Sequence, residues 1–252
     1  MADAERLAAA FRGEGRLEAL DEPPRTVAEA YDMQDAMRLA IGKPIVGWKL
    51  AQTTAKAQAA AGIVAPTVAP VLEGMIVPAD TVFPAGRFYG PEVEAEVALE
   101  LRRPIDRPMT GGEIVDCLAG IRLAIEVADS RYVDKPSMGT PANIADMNSC
   151  GALVVGPLLD LDEFSGAAEG DVVMRLGDGT TVPGLAADMR PKPIEVLAFL
   201  SRFVTERGHT LPAGTIVTTG THTAPTASGP GVITADFKLV GKLNARLSSP
   251  HG

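Results

Sequence analysis

The sequence is poor in the residues on which several common kinds of site are built. Its 252 residues include only two cysteines, Cys117 and Cys150, and only three histidines. Two cysteines are too few for a disulfide framework, and the scarcity of thiols and imidazoles argues against a zinc site. Any reaction chemistry must therefore rest mainly on carboxylates, hydroxyls and lysines.

The chain also lacks an excess of basic residues and a long apolar run. It has 23 Lys and Arg against 32 Asp and Glu, a formal net charge of −9, which argues against binding to nucleic acid or to an anionic membrane. The longest apolar run, residues 151–159, is far shorter than the roughly 20 residues of a membrane span. A charged N-terminus without an apolar stretch predicts a cytoplasmic protein with no secretory signal.

Residues 1–61 predict a helical N-terminal segment. Alanine and leucine dominate residues 2–20, which predicts a first helix. Thr26 and Glu29 have the spacing of a capping box that opens a second helix, and Gly42 is expected to end it.

From residue 62 onward the chain predicts β structure, because glycine and proline divide it into short runs of strand-forming residues. Only two further helices are predicted, opening at Thr110 and at Pro193. Helices do not alternate regularly with strands, which argues against a doubly wound parallel sheet. We therefore expect an α+β fold with a mixed, largely antiparallel core, in which residues 62–252 form one structural unit with the N-terminal segment.

The most informative segment is residues 91–101, in which acidic and apolar residues alternate. Successive side chains of a strand point to opposite faces, so one face carries four glutamates: Glu92, Glu94, Glu96 and Glu100. Same-face neighbours lie about 7 Å apart, close enough for two carboxylates to bind one cation. A solvated strand face explains this pattern equally well, so the strand alone leaves both interpretations open.

A second alternating run, residues 121–131, adds one more acid. Glu126 points away from the apolar side, and its small neighbours Ala124 and Ala128 leave space for a ligand. The alternative is a surface ion pair between Glu126 and Arg122, which contributes little energy. Three carboxylates from two strands suit a hard ion such as Mg²⁺ or Mn²⁺, which would chelate a 2-oxo acid and stabilise its enolate.

Four motifs follow one another along the chain: GWKL at 47–50, VEAEV at 93–97, AIEVADSR at 124–131 and ADMNSCG at 145–151. In this order they resemble the motifs of the 2-keto-4-pentenoate hydratases and of their sibling 4-oxalocrotonate decarboxylases, in the fumarylacetoacetate hydrolase superfamily. The resemblance extends from about Thr26 to Leu247. It implies a mixed β-roll of the superfamily's C-terminal type, in which residues 62–252 form a metal-binding catalytic domain with the helical segment packed on it.

The resemblance also implies the metal ligands and a catalytic lysine. Glu94 and Glu96 match the family's Glu-x-Glu pair, and Glu126 matches its third ligand to Mg²⁺ or Mn²⁺. Lys49 matches the lysine that lies against the oxygen-bearing end of the substrate. Without the resemblance, a surface lysine beside Trp48 is the simpler interpretation.

Substrate contacts are implied within the same segments. Ser149 matches a substrate-binding serine, although a turn residue ahead of the strand at 151 is a good alternative. Thr53 and Asp146 lie in the matching segments and are expected to bind substrate as well.

The activity implied is that of a hydratase, which adds water to a 2-hydroxy-2,4-dienoate to give a 4-hydroxy-2-oxo acid in aromatic catabolism. A decarboxylase of a 2-oxo-3-enedioate is the first alternative, and a non-catalytic protein that binds small acids is the second. Hydrolysis of a C–C bond ranks lower, because the sequence has no histidine before His209.

The sequence departs from the family pattern in three places. The loop 62–70 has no aspartate, residues 146–149 read Asp-Met-Asn-Ser where the family usually has Asp-Asn-Ala-Ser, and residues 190–193 read Arg-Pro-Lys-Pro where Gly-His-Pro is common. The first departure weakens the case for hydration but not for metal binding.

The resemblance also implies partners. It predicts a homo-oligomer, a pentamer or a decamer, and allows association with a sibling decarboxylase or hydratase.

Overall fold

A computed structural model describes residues 2–249 and contains seven α-helices in that range. In chain order they are α1 (Ala2–Phe11), α2 (Val27–Ile41), α3 (Ala55–Ala61), α4 (Gly111–Cys117), α5 (Lys135–Ala145), α6 (Phe164–Glu169) and α7 (Pro193–Glu206). None of these helices has the length and apolar character needed to cross a lipid bilayer.

Thirteen strands form two sheets within the same range. They are β1 (Ile45–Ala51), β2 (Thr67–Leu72), β3 (Ile76–Pro78), β4 (Val82–Phe83), β5 (Glu92–Leu101), β6 (Leu118–Ala128), β7 (Cys150–Val155), β8 (Val172–Arg175), β9 (Thr181–Pro183), β10 (Ile216–Thr221), β11 (Thr226–Ala227), β12 (Gly231–Phe237) and β13 (Gly241–Leu247). The large sheet has the order β2-β1-β10-β5-β6-β7-β3, with β11 paired to β5, and the small sheet has the order β4-β13-β12-β8-β9.

Most neighbouring strands run antiparallel. The exceptions are β1 with β10, β3 with β7 and β4 with β13, which run parallel. The predicted α+β class and the mixed, largely antiparallel core are therefore confirmed. Strand β1 comes from the N-terminal segment but lies inside the large sheet, between β2 and β10.

The capping signals of α2 act as predicted, whereas α1 is shorter than expected. The Thr26 hydroxyl accepts the Glu29 amide, the Glu29 carboxylate accepts the Thr26 amide, and Gly42 ends the helix in a left-handed conformation. The predicted helix over residues 2–20 is wrong beyond Phe11, because the chain turns at two glycines with positive φ shortly after that residue.

The prediction of only two helices after residue 62 is wrong, although α4 and α7 begin where expected. Helices α5 and α6 were missed. Helix α5 is interrupted at Gly139, where φ is 76°, and it contains Pro141. Glycine and proline both disfavour a helix, so the sequence of this segment did not predict one. Packing of α5 against α2 stabilises the helix in place of local helix propensity.

The two faces of the large sheet meet different partners. The face with Val93, Val97 and Leu99 packs against the small sheet and α7, as the alternation of the acidic strand predicts. The opposite face packs against α1, α2 and α5. On that face small residues such as Ala98 and Ala124 stand beside the glutamates, which leaves room above them.

Candidate metal and active site

Three glutamates from two adjacent strands meet on the large sheet. Glu94 on β5 lies directly across from Glu126 on β6, and Glu96 follows Glu94 on the same face. One carboxylate oxygen from each residue lies within 4.8 Å of those of the other two. Glu96 and Glu126 are buried, and Glu94 is half-buried. A set of three hard oxygen donors, without a thiol or imidazole, fits Mg²⁺ or Mn²⁺ and not zinc.

The other two glutamates of the strand are paired with basic side chains. Glu92 accepts a hydrogen bond from Lys135 Nζ at 2.8 Å, and Glu100 accepts one from Arg122 Nε at 2.5 Å. The surface pair between Arg122 and Glu126, considered above as an alternative, is therefore not formed. Glu92 and Glu100 are therefore charge-paired, whereas Glu94 and Glu96, which lie between them on β5, face Glu126.

Lys49 lies against the cluster and not at the surface. Its Nζ donates to Glu126 Oε1 and, at 2.9 Å, to the main-chain carbonyl of Asn148. The residue is 3 % exposed. Burial by itself would lower the pKa of this lysine, but the negative charges of Glu126 and Glu94 and the hydrogen bond to Glu126 together outweigh burial and raise the pKa above its usual value. Lys49 is therefore charged at neutral pH.

The cluster holds more negative charge than one ammonium can balance. Burial and the charge of Glu126 together raise the pKa of Glu94 to about 7, although Lys49 and Lys135 oppose the rise. Burial and the charges of Glu126 and Glu94 raise the pKa of Glu96 well above its usual value. A divalent cation would relieve this repulsion, so the residues fit such an ion.

Metal affinity is expected to rise with pH through neutrality. The raised pKa of Glu94, about 7, means that this carboxyl is protonated below pH 7 and ionised above it when no metal is bound. Protons and metal ions compete for the same carboxylate oxygens. Below pH 7, the affinity for the metal ion should therefore fall by up to about tenfold per pH unit for each proton that the ion must displace. Calorimetric titration with Mn²⁺ at pH 6 and at pH 8 tests this, and equal affinities at the two pH values would contradict it.

Gly220 on β10 brings the main chain close to the cluster. Its amide donates to Glu96 Oε2 at 3.2 Å, and its φ is +106°, a conformation that other residues rarely adopt. A Cβ atom at this position would lie 2.4 Å from Thr53 Oγ1. Both the backbone conformation and the available space therefore require glycine here.

Gly220→Ala is expected to destabilise the protein by about 1–3 kcal/mol through strain and the clash with Thr53, and to weaken metal binding by displacing the donor to Glu96. Urea unfolding and calorimetry measure the two effects. Gly214→Ala is the matched control, since Gly214 also has positive φ, +83°, but no atom within 4 Å of a Cβ. Equal metal affinities of the two variants would contradict the assigned role of the Gly220 amide.

A cavity of about 300 Å³, called the inner cavity here, opens onto the cluster. Its polar wall consists of Glu94, Glu96, Glu126 and Lys49, and its other lining residues include Leu185, Met189 and Pro225. A small acid can therefore place its charged end at the carboxylates and its carbon chain against apolar side chains.

Only one of the three residues predicted to contact substrate lines the inner cavity, namely Thr53. Ser149 donates instead to Asn143 Oδ1 at 2.8 Å. Asp146 is fully buried, and its carboxylate accepts from the Arg131 guanidinium and main-chain amide. The roles of Ser149 and Asp146 as substrate contacts stay predictions.

Sequence reasoning missed the turn that completes the site. Met147, Asn148 and Ser149 have φ values of 48°, 49° and 57°, three left-handed residues in a row without a glycine. Such residues cost about 1 kcal/mol or more each, so the surrounding structure must hold them. The turn places the Asn148 carbonyl against Lys49. The only signal in the sequence is Asn148 itself, since asparagine tolerates this conformation better than most residues.

Comparisons with known proteins identify the family of this chain. The family model for the fumarylacetoacetate (FAA) hydrolase C-terminal region matches residues 24–247. A 4-oxalocrotonate decarboxylase of Pseudomonas putida is 30 % identical over 90 % of this chain and 87 % of its own length. A protein of Dechloromonas aromatica (strain RCB) named 2-keto-4-pentenoate hydratase 2 is 31 % identical over 72 % of this chain and 70 % of its own.

Solved structures show the same architecture. The 4-oxalocrotonate decarboxylase from Pseudomonas putida G7, complexed with magnesium and adipate, matches with a TM-score of 0.85 at 28 % identity, over 98 % of this chain and 96 % of that chain. The same enzyme complexed with calcium and acetate also matches with a TM-score of 0.85, at 29 % identity.

Proposed function

Because this chain belongs to the fumarylacetoacetate hydrolase family, we propose that it is a divalent-metal-dependent lyase that enolises a small 2-oxo acid. The predicted family and lyase class are confirmed, since relatives covering most of the chain are named decarboxylase or hydratase. The observation that carries the proposal is the convergence of Glu94, Glu96 and Glu126 beside Lys49 in the wall of one cavity.

Glu94, Glu96 and Glu126 would hold the ion, Mg²⁺ or Mn²⁺. Support comes from the relative whose structures contain magnesium with adipate and calcium with acetate, a divalent ion together with an organic acid in each case. When bound, the ion supplies a Lewis acid that polarises the oxygen-bearing end of the substrate and stabilises its enolate.

Lys49 places a fixed positive charge where the 2-oxygen of the substrate becomes negative. Its hydrogen bonds to Glu126 and to the Asn148 carbonyl hold the ammonium in position before the reaction. Because the charge is already oriented, it stabilises the enolate oxygen without reorganisation. Thr53 lines the same wall and is proposed to contact the substrate.

Hydration of a 2-hydroxy-2,4-dienoate is the main reaction proposed. Ketonisation places a C=C bond in conjugation with the 2-oxo group, and water then adds at C4 to give a 4-hydroxy-2-oxo acid. Leu185, Met189 and Pro225 would hold the carbon chain and limit the access of bulk water.

Decarboxylation of a 2-oxo-3-enedioate is the second candidate, favoured by the lining of the inner cavity. Within the described residues, its only titratable lining groups are Lys49 and the three glutamates, so no separate acid or base is placed there to activate water. Loop 62–70 has no aspartate either. Loss of CO₂ requires a sink for the electron pair of the breaking C–C bond, and the conjugated 2-oxo-3-enoate group accepts that pair and becomes a dienolate.

Two assays of the purified protein with Mg²⁺ separate these reactions. Loss of dienol absorbance from 2-hydroxypenta-2,4-dienoate is expected for a hydratase, and CO₂ release from 2-oxohex-3-enedioate is expected for a decarboxylase. Metal binding without turnover of either compound would overturn both proposed reactions and support the alternative of a non-catalytic protein that binds small acids.

The remaining expectations are proposals about organisation. We propose a catalytic domain over residues 62–252 with the segment 1–61 attached, assembly into a pentamer or decamer, a cytoplasmic location, and pairing with a sibling enzyme. Light scattering of the purified protein tests the predicted assembly, and a monomer at micromolar concentration would contradict it.

A further inference from the structure

A second cavity of about 510 Å³, called the outer cavity here, opens beside the inner one. Gln52 lines both cavities. On β5, Glu92 lines the outer cavity and Glu94 lines the inner one, and these two residues lie about 7 Å apart on one face of the strand. A ligand bound at the glutamate cluster can therefore extend past Gln52 into the outer cavity.

Two amide side chains in the wall of the outer cavity have their oxygens already occupied. The Thr67 hydroxyl donates to Gln52 Oε1, and the Ser149 hydroxyl donates to Asn143 Oδ1 at 2.8 Å. An amide whose oxygen is engaged in this way offers its NH₂ group, which only donates. Gln52 also has a φ of 49°, and residues held in this strained conformation concentrate at functional sites.

Two cationic side chains line the same cavity. Lys135 donates to Glu92 at 2.8 Å in a partly exposed pair, and its ammonium has further protons for a second acceptor. Its partner Glu92 is next to Glu94 on the same face of β5, so Lys135 lies close to the glutamate cluster. Arg16 has an Nε–H that is buried without a hydrogen-bond partner in the described range.

The net charge of this wall does not by itself select a ligand. Glu92 and Asp134 line the outer cavity together with Lys135 and Arg16, so charges of the two signs balance. The amide and ammonium groups that still have unused hydrogen-bonding capacity are donors, namely the amide NH₂ groups of Gln52 and Asn143 and the ammonium group of Lys135. A carboxylate, which only accepts when it is ionised, is the small group that matches several donors in the lining of one cavity.

We infer that Gln52 and Asn143 are specificity-determining residues, whose amide N–H groups bind a second carboxylate at the far end of the substrate. The inference rests on the proposed function and selects between its two candidate substrates: it favours the diacid of the second candidate reaction, a 2-oxo-3-enedioate, over the monoacid 2-hydroxypenta-2,4-dienoate. Ser149 then acts as a positioning residue, because its hydroxyl orients the Asn143 amide.

The test compares 2-oxoadipate with 2-oxohexanoate, two unreactive acids that share the chelating end and differ only in the distal carboxylate. Calorimetry in the presence of Mg²⁺ is expected to show that the wild type binds 2-oxoadipate about 10- to 100-fold more tightly. Gln52→Glu and Asn143→Asp replace a donor with a like-charged acceptor and should bring this ratio close to one. Asn143 lies outside the inner cavity, so Asn143→Asp should change the affinity for 2-oxohexanoate by less than about twofold.

Two further variants sharpen the result. Ser149→Ala frees the Asn143 amide to rotate and is expected to lower the ratio while the affinity for 2-oxohexanoate is kept. Gln58→Glu on α3 adds the same charge at a residue outside both cavities, and it should keep the wild-type ratio.

The inference is overturned if the wild type binds the two acids equally, binds neither, or if Gln52→Glu and Asn143→Asp both keep the preference. The wild-type comparison does not depend on how any variant folds. Failure of the proposed function gives a different result, in which neither the dienoate nor the enedioate is turned over although the preference for the diacid is present.

Discussion

Glu96→Gln is expected to abolish activity and to weaken the binding of Mg²⁺ or Mn²⁺ by more than about 100-fold. Loss of a residue that only contacts a metal ligand usually costs less, about 10- to 100-fold in affinity. The substitution keeps the size of the side chain but removes one of the three negative charges that would hold the ion. In the metal-free protein Glu96 is buried beside two other carboxylates, which raise its pKa. Relief of this repulsion should leave the thermal stability of the metal-free variant equal to or above that of the wild type.

Stability therefore separates a metal ligand from a structural residue. Glu100→Gln is the matched control, because Glu100 lies on the same face of β5 but is paired with Arg122. This variant should bind metal like the wild type. Wild-type metal affinity in Glu96→Gln, or loss of binding in both variants, would contradict the assignment of the ion to the cluster.

Lys49→Met is expected to reduce kcat by about 100- to 1,000-fold without loss of metal binding. Methionine has a similar length but no charge, so the enolate oxygen loses its electrostatic partner. The affinity for Mg²⁺ should be unchanged or higher, because a positive charge beside the site has been removed. The metal-free variant should be less stable by about 3–5 kcal/mol, since Glu126 loses its buried partner.

Added Mg²⁺ should restore much of the lost stability of Lys49→Met, because the cation replaces the missing positive charge. Calorimetry and melting temperatures with and without metal give these values. Lys56→Met, at an exposed lysine on α3, is the control and should leave activity, affinity and stability unchanged. A Lys49→Met variant that keeps wild-type kcat would remove the lysine from the proposed mechanism.

The acidic strand shows how far local pattern carries a prediction. The period of two in residues 91–101 was sufficient to place Glu94 and Glu96 on one face of β5, because it follows from strand geometry alone. The register that puts Glu94 opposite Glu126 depends on how β5 and β6 pair, which the alternation does not specify. The approach of Lys49 depends on a strand still further away in the sequence, and only the family resemblance indicated it.

Features held by tertiary contacts could not be predicted. The left-handed turn at residues 147–149 has no glycine, and it is next to Asp146, whose buried pairing with Arg131 anchors that part of the chain. The substrate contact by Asp146 stays a prediction made from its place in a motif, which did not indicate that its carboxylate accepts hydrogen bonds from this arginine. A motif specifies residue types and their spacing, whereas the partners of each side chain are determined by the whole fold.

The most direct test is a crystal structure of the protein with Mn²⁺ and oxalate, analysed by anomalous scattering at the manganese edge. One anomalous peak is expected within bonding distance of oxygens of Glu94, Glu96 and Glu126, with oxalate completing its coordination and the Lys49 ammonium beside an oxalate oxygen. An ion bound elsewhere, or no peak at the three glutamates under saturating Mn²⁺, would contradict the account.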